Sequence, residues 1–227
     1  MKKKLRSFCS VVSICALALA LSGCFNIFHY ITRLDNGSDR HVIKFSVLKS
    51  NEAFSPYSDM DPESMNANLR GMMGSMFYDL EGYEQFGGRV ESLKKENELG
   101  VLVTMDIGYN RETVDRIIKE DTPFVPRYTQ DGITIPVQIQ AFENNDIMQM
   151  SLTGMYRLII SKRCIATLQR AVLTSYPGES PVFQGQGSGR LAPFMVDVLD
   201  LGDQYLIEVP FFLLIEDGYK FLKLYSK

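Results

Sequence analysis

Hydrophobic and polar positions change period several times along the chain, and each change marks an element. Residues 28–34, Phe28-His29-Tyr30-Ile31-Thr32-Arg33-Leu34, alternate aromatic and β-branched residues with polar ones. Asp35-Asn36-Gly37-Ser38 reads as a turn, and 41–48 resume with Val42, Ile43, Phe45 and Val47. Two such runs around an Asn-Gly predict a β-hairpin. The period then becomes helical. Met65, Leu69, Met72, Met73, Met76, Phe77 and Leu80 fall on one face of a helix ending near Gly82. Asp61 suits its N-cap, Pro62 its first position, and Glu63 complements the helix dipole.

After the Gly87-Gly88 break, 89–93 and 99–109 read as strands around a polar 94–98 loop. A short helix is expected over 112–120, before Pro123. Residues 125–128 and 133–142 form a second predicted hairpin about Asp131-Gly132. In its longer arm Ile133, Ile135, Val137, Ile139 and Ala141 oppose Thr134, Pro136, Gln138 and Gln140, which implies one covered and one wetter face. Pro136 points to an edge or a bulge. Asp146 is placed to start a long helix over 146–174, with Gly154 as a break before which a strand is equally compatible. Residues 175–190 read as a Gly/Pro/Ser loop. Runs at 194–199, 205–215 and 219–225 predict an antiparallel meander, with Pro210 at a bulge. The fold class expected is α+β: a single domain whose largely antiparallel sheet packs against two or three helices. A subdivision would fall near 122–132.

The first 23 residues follow another logic. Lys2, Lys3, Lys4 and Arg6 form a cationic start, and an apolar run covers 8–21. That is the secretory signal pattern, and the run is shorter than the roughly 20 residues a spanning helix needs. Leu21-Ser22-Gly23-Cys24 resembles the lipobox of bacterial lipoproteins. The resemblance implies cleavage between Gly23 and Cys24, a diacylglycerol thioether on Cys24, and N-acylation of the new terminus. Residues 1–23 are then a cleaved signal and 24–227 an envelope domain, lipid-anchored on the extracytoplasmic side. Phe25 stands where many lipoproteins retained at the inner membrane carry aspartate, which favours an outer membrane in an organism that has one.

Processing changes composition as well. It removes four basic residues and no acidic ones, taking the formal charge from −3 to −7. An anionic domain gains nothing from phosphate neutralisation, so nucleic acid is excluded as a natural partner. Cys9 and Cys15 depart with the signal and Cys24 is blocked, leaving Cys164 without a disulfide partner. Cys164 lies in the predicted 146–174 helix, where a buried structural thiol is expected; adjacent Lys162 and Arg163 favour the reactive alternative.

Candidate chemistry is sparse. His29 and His41 are the two histidines, and both fall on the first hairpin. They are expected as surface or half-buried strand residues, and a nucleophile–base pair would have to be built on one of them. No zinc-ligand spacing occurs. Asp59, Asp61 and Glu63 lack the glycine and distal glutamate of a calcium loop, so no metal and no cofactor are expected. Met72, Met73 and Met76 read as core, as thioethers for a soft ion, or as the face of an apolar ligand site. Phe183-Gln184-Gly185-Gln186-Gly187-Ser188-Gly189-Arg190 is glycine-rich, but a strand pattern follows where a phosphate cradle needs a helix N-terminus.

The layout of Cys24-Phe25-Asn26, strand, Asn36-Gly37-Ser38 turn and second strand resembles the LppM-like bacterial lipoproteins over residues 24–50. That resemblance implies an α+β fold with a curved antiparallel sheet over helices, and lipid-related binding. The C-terminal half, ending Asp217-Gly218-Tyr219-Lys220-Phe221, is similar in layout to cystatin/NTF2-like cones, a helix on a meander. The expected function is a non-enzymatic, membrane-anchored lipoprotein binding an apolar ligand or an envelope protein. The alternatives are a membrane-tethered hydrolase and a purely structural surface lipoprotein.

Overall fold

The computed structural model describes residues 25–48, 61, 64, 67, 81–95, 98–120, 122–137, 154–176, 191–214 and 219–226. In chain order the elements are β1 (Phe25–Arg33), β2 (Asp39–Leu48), α1 (Glu81–Glu84), β3 (Arg89–Lys95), β4 (Glu98–Ile107) and α2 (Arg111–Glu120). There follow β5 (Arg127–Thr129), β6 (Gly132–Pro136), β7 (Met155–Ser161), β8 (Arg170–Thr174), β9 (Phe194–Val196) and β10 (Val198–Asp200). Strand β11 (Gln204–Pro210), a 3-10 turn (Phe211–Leu213) and β12 (Phe221–Tyr225) complete the order. The architecture is mixed α+β, dominated by strands in two sheets. The first sheet has seven strands in the order β10-β11-β7-β1-β2-β4-β3, and the second has five in the order β5-β6-β12-β8-β9.

The first hairpin forms the middle of the first sheet. Asn36 closes its turn by accepting the Ser38 N–H, and Gly37 takes the positive φ the reversal requires. Pairing runs from Phe25↔Val47 to Arg33↔Asp39 without a slip. On the other side β1 pairs with β7 in parallel, the one parallel pairing among the described strands. The inner face carries Ile27 and Ile31 of β1, Ile43 and Phe45 of β2, Val101 and Val103 of β4, and Leu158 and Ile160 of β7, all buried. The outer face is wetter, and there the Phe28 ring lies between the Lys44 ammonium and the Arg157 guanidinium. Covered-and-wet alternation therefore belongs to this sheet. It was expected of β6, where Ile133, Thr134, Ile135 and Pro136 are all buried instead.

Pro136 sits where its missing N–H costs no strand pairing. Val137 N–H turns to Lys220 of the β12 side, so Pro136 faces the other way, where β5 pairs only as far as Thr134. Its carbonyl there accepts the Phe124 N–H at 2.7 Å.

Two expectations for the C-terminal half are corrected. The helix over 146–174 is replaced, in its described part, by β7 and β8 joined through a turn at Lys162-Arg163-Cys164. The meander does not form either. Strand β9 pairs with β8 in the second sheet, β10 and β11 belong to the first, and β12 inserts between β6 and β8 of the second. The chain thus changes sheet at Asp197 and again at the 3-10 turn. Pro210 ends β11 and caps that turn, and the Phe211 ring packs so closely on Gly154 that a Cβ there would lie 2.0 Å from it. A helix-on-meander arrangement like a cystatin/NTF2-like cone is therefore absent from the described part of this half.

Other expectations stand. The 89–109 hairpin is β3–β4, and α2 begins beside Asn110, whose side chain accepts the Thr113 N–H. Ser64 and Ala67 are helical, and Asp61 accepts the Ser64 N–H at 2.9 Å as an N-cap. Met72, Met73 and Met76, Cys24 with the preceding signal, and the 183–190 glycine-rich segment lie outside the described residues.

Candidate functional site

The inward phase of the first hairpin brings two polar pairs into the core. On β1 the series Ile27, His29, Ile31, Arg33 points inward; on β2 it is Asp39, His41, Ile43, Phe45. His29, His41 and Asp39 are 0% exposed, so the surface or half-buried placement expected for the histidines is corrected. An ionisable group so deep needs partners. His29 Nε2 lies 3.3 Å from His41 Nδ1. His29 Nδ1 lies 3.1 Å from the Tyr156 hydroxyl, and His41 Nε2 lies 3.4 Å from the Tyr109 hydroxyl. The four side chains form a continuous line, Tyr156–His29–His41–Tyr109.

With both rings neutral that line is fully satisfied. A neutral imidazole has one donor and one acceptor nitrogen, so two of them chain head to tail between two phenols in either direction. Only a proton on each of the two rings forces N–H donors face to face between them, because a phenol oxygen at either end can accept from a singly added one. Burial depresses the basicity of both imidazoles: His41 falls to about 4, and His29 falls well below its ordinary value, with the neighbouring His41 adding to the effect. Asp39 and Asp106 oppose the shift at His41 without cancelling it. Tyr156 and Tyr109 are pushed upward mainly by burial, so neither phenol ionises.

An ionic group adjoins the line. Arg33 donates to both oxygens of Asp39, from Nε at 2.8 Å and Nη2 at 3.2 Å. Tyr128 also donates its hydroxyl to Asp39, and its ring packs edge-on against Tyr109 at 4.8 Å between centroids. The Arg33 guanidinium lies over the Tyr128 ring. On the opposite side the wall is apolar: Phe124 touches the rings of His29, Phe45 and Tyr156. Phe124 adopts φ 60°, a strained value for a bulky residue, held by its buried ring and its bond to Pro136.

Cys164 completes the cluster from the turn after β7, its Sγ 3.9 Å from Asp39 Oδ1. Burial, reinforced by the Asp39 charge, pushes the thiol up to about 12. Lys162 and Arg163, the cations next to it in sequence, are paired with Asp200 and Asp35. A low-pKa thiolate needs an accessible electropositive setting; Cys164 is half-buried, and the Arg33 charge that favours its thiolate is outweighed by burial and the Asp39 charge. Among the described residues no group of three or more His, Cys, Asp or Glu is arranged to hold a metal ion.

The arrangement locks the core. Both imidazoles are neutral bases with no exposed surface, and the carboxylate beside them is already bound by Arg33 and Tyr128. The network cross-links β1, β2 and β7 to the segments carrying Tyr109 and Tyr128, and so pins the register of the central hairpin. Sequence reasoning picked out the two histidines and missed Asp39, Arg33, Tyr109, Tyr128 and Tyr156. One signal was available: His29 shares its phase with Ile27 and Ile31, and His41 with Ile43 and Phe45.

No protein-family model, curated protein or solved structure matches the chain. Among the described residues no helix is long and apolar enough to cross a membrane.

Proposed function

We propose that the chain is a bacterial envelope lipoprotein, held to the membrane through Cys24, whose two-sheet domain is a non-enzymatic binding module. The supporting observation joins sequence to fold. Strand β1, central in the first sheet, begins at Phe25, the residue after the lipobox cysteine. An acylated Cys24 then has no tether, and the domain is mounted on the bilayer. Two or more acyl chains supply affinity, each buried methylene contributing about 0.8 kcal/mol. The signal pattern supports the extracytoplasmic side, and an anchor without the retention aspartate favours the outer membrane in an organism that has one. Buried, neutral histidines and an unreactive Cys164 support a binding role over a hydrolytic one.

An envelope protein is favoured as the partner by the open sheet edges. Strands β9 and β10 are consecutive edge strands, one on each sheet, and expose Met195 and Leu199 by 57% and 56%. Unpaired edges with apolar side chains are what an added strand recognises. The test is acyl labelling and membrane fractionation of the wild type and Cys24→Ala, with mass spectrometry of proteins co-purifying with the anchored form. Unchanged labelling in Cys24→Ala sinks the anchor. Loss of a co-purifying partner in Met195→Glu/Leu199→Glu supports the edge, and an unaffected partner refutes it.

A further inference from the structure

The anchored reading leaves open which surface meets the lipid, and sheet topology supplies an answer. Strand β7 runs parallel to β1, with Asn26 opposite Met155, and β11 runs against β7, with Pro210 opposite Met155. The end of β11 and the 3-10 turn after it therefore lie at the same end of the first sheet as Phe25. Phe212 of that turn is 55% exposed.

Contacts carry this end across to the second sheet. Tyr219 N–H donates to the Leu213 carbonyl at 2.7 Å, and Lys220 N–H donates to the Thr174 carbonyl at 3.0 Å. The Tyr219 hydroxyl donates to the Ala192 carbonyl, and its ring lies 6.1 Å from that of Phe194. Phe212 and Leu191 adjoin in sequence the Leu213 and Ala192 carbonyls that Tyr219 binds, and Tyr176 lies two residues past the Thr174 carbonyl bound by Lys220; with Phe194 they are four of the large side chains the described surface leaves exposed. A water-facing monomer surface seldom collects such groups in one place. Aromatic side chains with a polar tip or neighbour are, in contrast, favoured at the headgroup level of a bilayer.

We infer that this rim of Phe212, Phe194, Leu191 and Tyr176 around Tyr219 rests in the lipid surface beside the acylated Cys24. The inference deepens the anchored reading and rests on it. Because Phe25 follows Cys24 directly, the end of β1 cannot stand away from the bilayer, and the rim at that same end is brought to the headgroups by geometry alone. The Gly202-Asp203 turn lies at the opposite end, about 20 Å away along β11 at roughly 3.3 Å per residue. Strand β10, paired with β11 toward that opposite end, keeps its edge away from the rim.

The chain has no tryptophan, so one introduced residue reports alone. Full-length acylated Phe212→Trp, Phe194→Trp and Leu201→Trp are purified and reconstituted into phosphatidylethanolamine/phosphatidylglycerol vesicles with dibrominated acyl chains. All three sites are surface positions, and matching thermal unfolding confirms a common fold. The expected result is several-fold stronger bromine quenching at positions 212 and 194 than at 201, at the membrane-distal end. Equal quenching at all three, or stronger quenching at 201, overturns the inference while leaving the anchor intact. A wild-type chain that fractionates as soluble with Cys24 present overturns both. Absent quenching at 212 and 194, with their emission shifting only on adding a purified envelope protein, overturns it too and assigns the rim to a protein partner.

Discussion

Acid should unfold this domain through its two histidines before it touches most of its carboxylates. In the unfolded chain an imidazole takes up its proton near pH 6.5; in the folded chain His41 does so only near pH 4, and His29 is likewise held well below its ordinary value. Between those values the unfolded state binds more protons, so stability falls as pH falls. For His41 the difference amounts to about 3 kcal/mol at 1.36 kcal/mol per pH unit, and His29 adds to it. Against the 5–15 kcal/mol typical of a domain, roughly a quarter or more of the total is at stake. The depressed carboxylates, Glu98 and Asp106 among them, begin to lose their contribution only as pH falls through their ordinary values of 4.5 and 3.8, which largely separates the two windows. Urea midpoints measured from pH 7.5 to 4.5 should decline steadily for the wild type. His29→Gln/His41→Gln should start from a lower midpoint, because the chain of neutral donors is broken, yet show a much flatter decline. A wild-type midpoint constant over that range, or the same slope in the double variant, would refute the assignment of neutral, buried imidazoles.

Three further outcomes are expected. Asp39→Ala strands Arg33 and Tyr128, and should cost about 2–3 kcal/mol by urea denaturation, below the full penalty of a broken buried pair because Arg33 keeps contact with water. Gly154→Ala drives a methyl into the Phe211 ring and should destabilise by about 1–3 kcal/mol, with the thermal midpoint as readout; an unchanged midpoint would mean the 3-10 turn is not packed there. Cys164 should react more slowly with Ellman's reagent at pH 8 in the folded protein than in urea, because its thiol is half-buried and pushed up to about 12; equally fast native labelling would contradict that shift.

Local order was legible where a single period and a turn agree. The first hairpin and α2 follow from alternation and from a capped amphipathic stretch, and both have close to the expected bounds. The stretch from Met155 to Val172 was misread because Leu158-Ile159-Ile160 is apolar throughout, so helical and strand periods both fit it. Its β-branched residues and the Lys162-Arg163-Cys164 turn were the cues for β7. Sheet membership was beyond local reading altogether: Phe194, Leu199 and Leu206 carry the same strand signature, although β9 belongs to one sheet and β10 and β11 to the other. The site was legible only as two histidines. Tyr156 lies 127 positions from His29, and Tyr128 lies 89 from Asp39, so nothing in the linear pattern joins them.

The placement of β12 has a kinetic consequence. It is the third of five strands in the second sheet, flanked by β6 and β8, yet it follows both in the chain. Until residues 221–225 arrive, the two halves of that sheet have no common neighbour, whereas the first sheet has its last described strand already at β11. A chain emerging N-terminus first from a ribosome can therefore pair its first sheet early, while the second waits for β12 to join its two halves.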